Sequence, residues 1–141
     1  MKTKRFALIT LGFAAAAALA GCQTRTDDTM AGELRFAAND GAIPALERIM
    51  QQASVCWFKQ NASGFANYRI APEINAISGP PRILLVPASN PAGRPKAVIE
   101  AQGNPATIDV YGPLMTTGVA DRIAADTQRW AAGGTGCGAA A

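Results

Sequence analysis

The chain has 141 residues, a formal net charge of +3 and an apolar fraction of 49%, which is typical of one ordinary globular domain with additional segments. It contains no histidine, so a Ser-His-Asp triad, a Cys-His nucleophile and the usual histidine-containing zinc sites are excluded. The glycines of residues 134–138 neither follow a strand-like segment nor open a helix, so they indicate a pliable tail rather than a phosphate loop. We therefore expect no cofactor and no metal.

The N-terminus has the three parts of a secretory signal: a basic start, an apolar run and small residues at its end. Lys2, Lys4 and Arg5 precede the apolar residues 6–19. This run is shorter than the stretch of about 20 apolar residues that a spanning helix needs. We expect the segment to be removed on export.

Two cleavage sites compete at the end of the run. Residues 18–20, Ala-Leu-Ala, satisfy the small-x-small pattern of the ordinary signal peptidase. Residues 19–22, Leu-Ala-Gly-Cys, resemble the lipobox of bacterial lipoproteins, and the resemblance covers residues 1–22 only. It implies that residues 1–21 are cleaved and that Cys22 becomes the first residue, carrying a diacylglyceryl thioether and acyl chains such as palmitate. In that family an Asp after the cysteine favours the inner membrane, so Gln23 implies an anchor in the outer membrane, facing the periplasm.

The cysteine count supports the same interpretation. Three cysteines in an exported chain leave one unpaired. Lipidation of Cys22 accounts for the odd thiol and leaves Cys56 and Cys137 as one possible disulfide in an oxidising compartment. The alternatives are a secreted protein with a stray thiol at position 22, and free thiols at positions 56 and 137.

The charge balance changes once residues 1–21 are removed. Ten Lys and Arg residues then stand against ten Asp and Glu residues, so no basic patch indicates a nucleic-acid partner. Residues 22–40 are mostly polar or small and predict a lipidated cysteine followed by a flexible tether, residues 41–138 a single domain, and residues 139–141 a tail. As an alternative, residues 30–36 could form a helical turn that docks Leu34 and Phe36 on the core, which would end the tether earlier.

Apolar residues spaced three and four apart predict a helix over residues 41–58 and a second helix that follows residues 112–113 and ends at residues 133–134. Four segments between them have strand character, namely residues 65–70, 82–86, 96–101 and 107–111. The predicted fold class is α+β: helix, four-stranded mostly antiparallel sheet, helix, with both helices on one face. The charged residues of the second helix are predicted to form a solvated face: Asp121, Arg122, Asp126 and Arg129.

Three functions are compatible with these observations. The leading hypothesis is a non-enzymatic binding or structural component of the bacterial cell envelope, held at the membrane by its lipid and contacting an envelope protein or polymer. The alternative is a periplasmic ligand binder or enzyme inhibitor that uses residues 87–95 or the open sheet face. A histidine-free hydrolase built on the carboxylates of Glu73, Glu100 and Asp109 is the third. Residues 23–141 resemble no domain family, and no binding residue is identified.

Overall fold

The computed structural model describes residues 32–138, in which a five-stranded antiparallel sheet carries two α-helices. The fold class is therefore α+β. The helices are α1 (Ala42–Ala53), which continues as a π-helix over Ser54–Lys59, and α2 (Ala120–Ala131), which follows a 3-10 helix at Pro113–Thr116. The strands are β1 (Glu33–Ala37), β2 (Tyr68–Glu73), β3 (Arg82–Pro87), β4 (Ala97–Gly103) and β5 (Ala106–Tyr111).

The strands lie in the order β1-β5-β4-β3-β2, and each neighbouring pair is antiparallel. Side chains alternate between the two faces of a sheet. One face is apolar across its middle strands, where Ile83 lies opposite Ile99 and Ile99 opposite Val110. Helix α1 packs on β3, β4 and β5, and α2 contacts β1 and α1. The single core lies between this face and the helices.

Helix α1 buries the stripe that its spacing predicts, including Leu46, Ile49 and Ala53. The π-helix then buries Cys56 and Trp57. The Trp57 ring stacks on Phe65 with their centroids 4.8 Å apart and an interplanar angle of 8°. The predicted extent of this helix is right, whereas its last turns are π-helical rather than α-helical.

The predicted strand number is wrong, because residues 33–37 form β1 instead of continuing a tether to residue 40. In β1, Leu34 lies opposite Val110 and Phe36 opposite Ile108, and both side chains pack on the core. The helical turn considered for this segment is also wrong. Polar and apolar residues alternate with a period of two here, which suits a strand with one buried face.

The predicted solvated face of α2 is wrong at Asp126, which is only 2% exposed, and at Arg122, whose side chain is only 17% exposed. The indole Nε1 of Trp57 donates to Asp126 Oδ2 at 2.8 Å, and Arg129 Nη2 donates to Asp126 Oδ1 at 2.6 Å. Two other residues of the same face agree better with the prediction, since Asp121 is exposed and Arg129 is half-buried. Asp126 is buried because a tryptophan from a distant part of the chain supplies its partner.

The glycine-rich segment after α2 is held in place rather than pliable. The carbonyl oxygen of Gly136 accepts hydrogen bonds from the side chains of Arg129 and Trp130, and its N–H donates to Gln52 of α1. Cys137 forms a disulfide with Cys56, closing a sequence separation of 81 residues. This is the disulfide that the cysteine count predicts. Cys22 lies outside the described residues, so its lipidation stays a prediction.

Helices α1 and α2 each have 12 residues, and within residues 32–138 no helix is long and apolar enough to cross a membrane.

Candidate functional site

The face of the sheet that points away from both helices is called the outer face below. Strand alternation and the pairing register assign its side chains. They are Glu33, Arg35, Ala37, Arg69, Ala71, Glu73, Arg82, Leu84, Val86, Val98, Glu100, Gln102, Thr107, Asp109 and Tyr111.

A row of five charged residues crosses the outer face, one from each strand. Glu73 lies opposite Arg82, Arg82 opposite Glu100, Glu100 opposite Asp109, and Asp109 opposite Arg35. The row contains all three carboxylates that the sequence suggests for a hydrolase. The register therefore brings together residues that lie far apart in the chain.

Both ends of the charged row are ion pairs. Arg82 Nε donates to Glu73 Oε2 at 2.6 Å, and this hydrogen bond and the charge of Glu73 raise the pKa of Arg82 above its ordinary value. At the other end, Arg35 Nε donates to Asp109 Oδ1. The carboxylates of Glu73 and Asp109 thus each have an arginine as an ion-pair partner.

Glu100, in the middle of the row, forms no ion pair of its own among the described residues, although the charge of Arg82 on the neighbouring strand acts on it at longer range. Within residues 32–138 no Lys or Arg lies within salt-bridge distance of its carboxylate. Gln102 Nε2 donates to Oε1 at 3.1 Å, and the Tyr111 hydroxyl donates to Oε2 at 3.3 Å. Asp109 lies directly opposite, and like charges in that position repel. A cation from outside would therefore be attracted to Glu100.

Tyr111 responds to the same surroundings. Partial burial raises the pKa of its hydroxyl above the ordinary value of 10.0, and the charge of Glu100 and the hydrogen bond to it act in the same direction. Arg82 opposes the shift. The phenol therefore stays a neutral donor to Glu100 over the physiological pH range.

An apolar strip runs beside the charged row, formed by Ala71, Leu84, Val98 and Tyr111 on successive strands. Leu84 and Tyr111 are half-buried, while Val98 is 9% exposed. Val98 and its diagonal neighbour Val86 are buried without belonging to the core under the helices. The outer face thus presents the half-buried Leu84 and Tyr111 next to a carboxylate, Glu100, that forms no ion pair among the described residues.

Two members of the charged row also line a pocket. Glu73 and Arg82 line a pocket of about 660 Å³ beside Met50 of α1, but Glu100 and Asp109 do not line it. In the part of the chain that the structure describes, no group of three or more Cys, Asp and Glu side chains is placed to hold a metal ion.

The loop of residues 87–95, considered as a contact in the sequence, consists of two tight turns. Asn90 N–H donates to the Pro87 carbonyl and Gly93 N–H to the Asn90 carbonyl. Residues 88–92 are exposed. The loop is therefore accessible, but its connection between β3 and β4 is stiffened by backbone hydrogen bonds.

Three members of this face, Arg35, Arg82 and Tyr111, were not predicted as site residues from the sequence. The alternation of polar and apolar residues over 33–37 is the signal that could have placed Arg35 on a strand. The partnership of Tyr111 with Glu100 depends on the β4–β5 register, which a single sequence does not contain.

Comparison with models of protein families, with curated proteins and with solved structures found no match for this chain.

Proposed function

We propose that this protein is a lipid-anchored, non-enzymatic binding component of the bacterial cell envelope, and that it contacts a partner protein through its outer face. The lipobox-like residues 19–22 and Gln23 support an anchor at Cys22 in the outer membrane, facing the periplasm. The observation that carries the binding role is the outer face itself. On this face Glu100 forms no ion pair among the described residues and lies beside the apolar strip.

The partner is one that offers an apolar surface and a basic side chain. Apolar contact with the half-buried Leu84 and Tyr111 of the strip adds to the association energy, because burial of apolar area is favourable. A Lys or Arg of the partner pairs with Glu100, which forms no ion pair among the described residues, and sets the orientation. Neutral carbohydrate polymers lack that charge, so a protein fits this face better.

Photocrosslinking in the native host tests the proposal. A photoreactive amino acid is placed at Gln102 or Thr107, which are exposed cross-strand neighbours on the outer face. Gln51 and Gln128, exposed on the helices, are the matched control positions. Both outer-face positions should give the same adduct with one protein, whereas the helix positions should not. Equal labelling from all four positions, or no adduct from the outer face, would overturn the proposal.

Charge reversal sharpens the same experiment. Glu100→Lys should abolish the adduct formed from Thr107, because it repels the basic group of the partner. Asp121→Lys is the control, since Asp121 is an exposed carboxylate on α2. An adduct that survives Glu100→Lys unchanged would remove Glu100 from the contact.

The opposition of Glu100 and Asp109 keeps a histidine-free hydrolase as a second candidate, because two neighbouring carboxylates are the usual machinery of glycoside hydrolysis. Purified protein would then cleave envelope polymers, and Glu100→Gln or Asp109→Asn would abolish cleavage while Glu47→Gln would not. Absence of cleavage by the unaltered protein would eliminate this candidate.

A further inference from the structure

A second cavity lies on the helix side of the sheet, away from the outer face. It has a volume of about 470 Å³, within the usual range of small-molecule sites. It lies where the loop after the π-helix, the start of β2 and the segment before α2 meet. Its walls include Ser63, Tyr68, Leu114, Thr117, Val119 and Arg122.

Arg122 is the one charged residue among those that line this cavity. Its side chain is only 17% exposed. Its Nε atom is buried and has no hydrogen-bond partner. The nearest carboxylate oxygen among residues 32–138, Asp126 Oδ2, lies 3.5 Å away, which makes an ion pair but not a hydrogen bond.

Asp126 accepts two hydrogen bonds from other donors and none from Arg122. Arg129 takes Oδ1 at 2.6 Å and the Trp57 indole takes Oδ2 at 2.8 Å. Two guanidinium groups therefore share one buried carboxylate, and the cluster keeps one net positive charge. Buried charges are costly unless paired, so a second anion beside Arg122 would stabilise the cluster.

The remaining walls suit a ligand with a polar and an apolar end. Ser63 and Tyr68, whose side chains carry hydroxyls, are among the residues that line the cavity. Leu114 and Val119 supply apolar wall. The loop at Gly64 fits closely against Val119, since an added Cβ would lie 2.3 Å from Val119 Cγ1. The close packing of Gly64 on Val119 therefore forms one wall of the cavity.

We propose that this cavity binds a small organic anion, whose carboxylate or phosphate group pairs with Arg122 while its apolar part packs on Leu114 and Val119. The site is separate from the outer face, so it stands or fails independently of the partner contact proposed above. The anionic group accepts from the terminal guanidinium nitrogens of Arg122, since Nε is buried, and the hydroxyls of Ser63 and Tyr68 donate to its remaining oxygens.

The test is a titration of the full-length protein in detergent with phenyl phosphate and with benzoate, followed by amide NMR. We expect saturable shifts of the Gly64 and Gly118 amides and of the Arg122 Nε–H signal. A response to phenyl phosphate alone assigns a phosphate ligand, and a response to benzoate alone assigns a carboxylate ligand. Benzyl alcohol, which has the ring without the charge, should not bind. No saturable shift with either anion would overturn the proposal.

Substitution of Arg122 tests which group holds the anion. Arg122→Gln should weaken binding by about tenfold or more, because hydrogen bonds to charged groups are the stronger class. Arg94→Gln is the matched control, since it removes an exposed cation from the β3–β4 loop. Equal affinity in Arg122→Gln and the unaltered protein would overturn the assignment.

A second pair of variants keeps the test decisive if Arg122→Gln does not fold. A Cβ added at Gly118 meets no atom within 4 Å, so Gly118→Glu can place a carboxylate at the edge of the cavity. It should abolish binding of the anion, whereas the isosteric Gly118→Gln should retain it. Equal binding by these two variants would contradict an anion site at this position.

Discussion

At the scale of single residues, Asp126 holds together parts of the chain that the sequence keeps apart. Its carboxylate joins Trp57 of the π-helix to Arg129 of α2. Arg129 in turn donates to the carbonyl of Gly136, next to the disulfide. A buried charge of this kind adds little when paired but costs much when one partner is lost.

We predict that Asp126→Asn destabilises the fold by about 3 kcal/mol, because the amide keeps the bond from Trp57 but leaves two arginines without a counter-charge. Urea unfolding followed by tryptophan fluorescence measures the change. Asp121→Asn, on the exposed side of the same helix, should cost less than about 1 kcal/mol. Equal losses in the two variants would show that Asp126 is no more important than a surface charge.

Tyr111 supplies a prediction for alkaline pH. Because its folded-state pKa is raised, the neutral phenol contributes stability that is present below about pH 10 and is lost as the pH rises through the folded-state value. Absorbance titration in a Tyr68→Phe background reports Tyr111, the other tyrosine of the chain.

Glu100→Gln should lower that midpoint, since it removes a negative charge beside the phenol, yet leave it above 10.0 because burial is the larger cause. Glu47→Gln, on α1, should leave it unchanged. If the titration midpoint of Tyr111 is the same with and without Glu100→Gln, the contact between the two side chains is contradicted.

At the scale of elements, the chain depends on close approaches between segments distant in sequence. Gly64 has a φ of +86° and faces Val119 so closely that a methyl group would overlap it. Arg48 of α1 donates from Nε to the carbonyl of Trp130 at 2.6 Å and so satisfies a carbonyl at the C-terminus of α2. The two helices are thus tied to each other and to the loop after the π-helix.

We predict that Gly64→Ala destabilises the protein more than Gly79→Ala by about 1 to 3 kcal/mol, the usual cost of overpacking. Gly79 is a matched control because its φ is +81° and a Cβ there meets no atom within 4 Å. Both variants lose the conformational freedom of glycine, but only Gly64→Ala adds a clash. Urea unfolding of the two variants side by side measures the difference, and equal losses would contradict the close packing.

The disulfide supports the same region. Linking positions 81 residues apart is expected to stabilise by roughly 4 to 5 kcal/mol through the entropy of the unfolded chain. The double variant Cys56→Ser and Cys137→Ser should therefore unfold at a markedly lower urea concentration. The unaltered protein treated with reductant should unfold at the same urea concentration as the variant. An unchanged unfolding midpoint in both would show that the disulfide does not stabilise the fold.

At the scale of the whole molecule, we propose that a lipid anchor at Cys22 holds a separate binding domain at the membrane. Several acyl chains on Cys22 would exceed the marginal hold of one chain and make attachment stable. Cys22→Ala should therefore move the protein from the membrane fraction to the soluble periplasmic fraction, with Cys56→Ser as a control that stays with the membrane. Mass spectrometry of the native protein should detect the acyl chains at Cys22. An unmodified Cys22 would contradict the lipid anchor.

Much of the fold could be predicted from local pattern. The extent of the first helix, the approximate positions of α2 and of β2 to β5, and the pairing of Cys56 with Cys137 follow from periodicity and cysteine count. β1 was not predicted because five alternating residues that follow a polar segment give only a weak strand pattern. The candidate site was predicted only as three carboxylates without a shared location, since register is a property of paired strands.

The sequence by itself determined the α+β class and the absence of histidine chemistry, and it predicts a lipid anchor at Cys22, because these depend on residue type, spacing and order along the chain. The tertiary structure alone decided that Glu73, Arg82, Glu100, Asp109 and Arg35 form one row, and that Asp126 is buried between Trp57 and Arg129. The physical reason is the same in both cases. Whether a charge is paired, unmatched or buried depends on neighbours that only strand register and helix packing bring within a few ångströms.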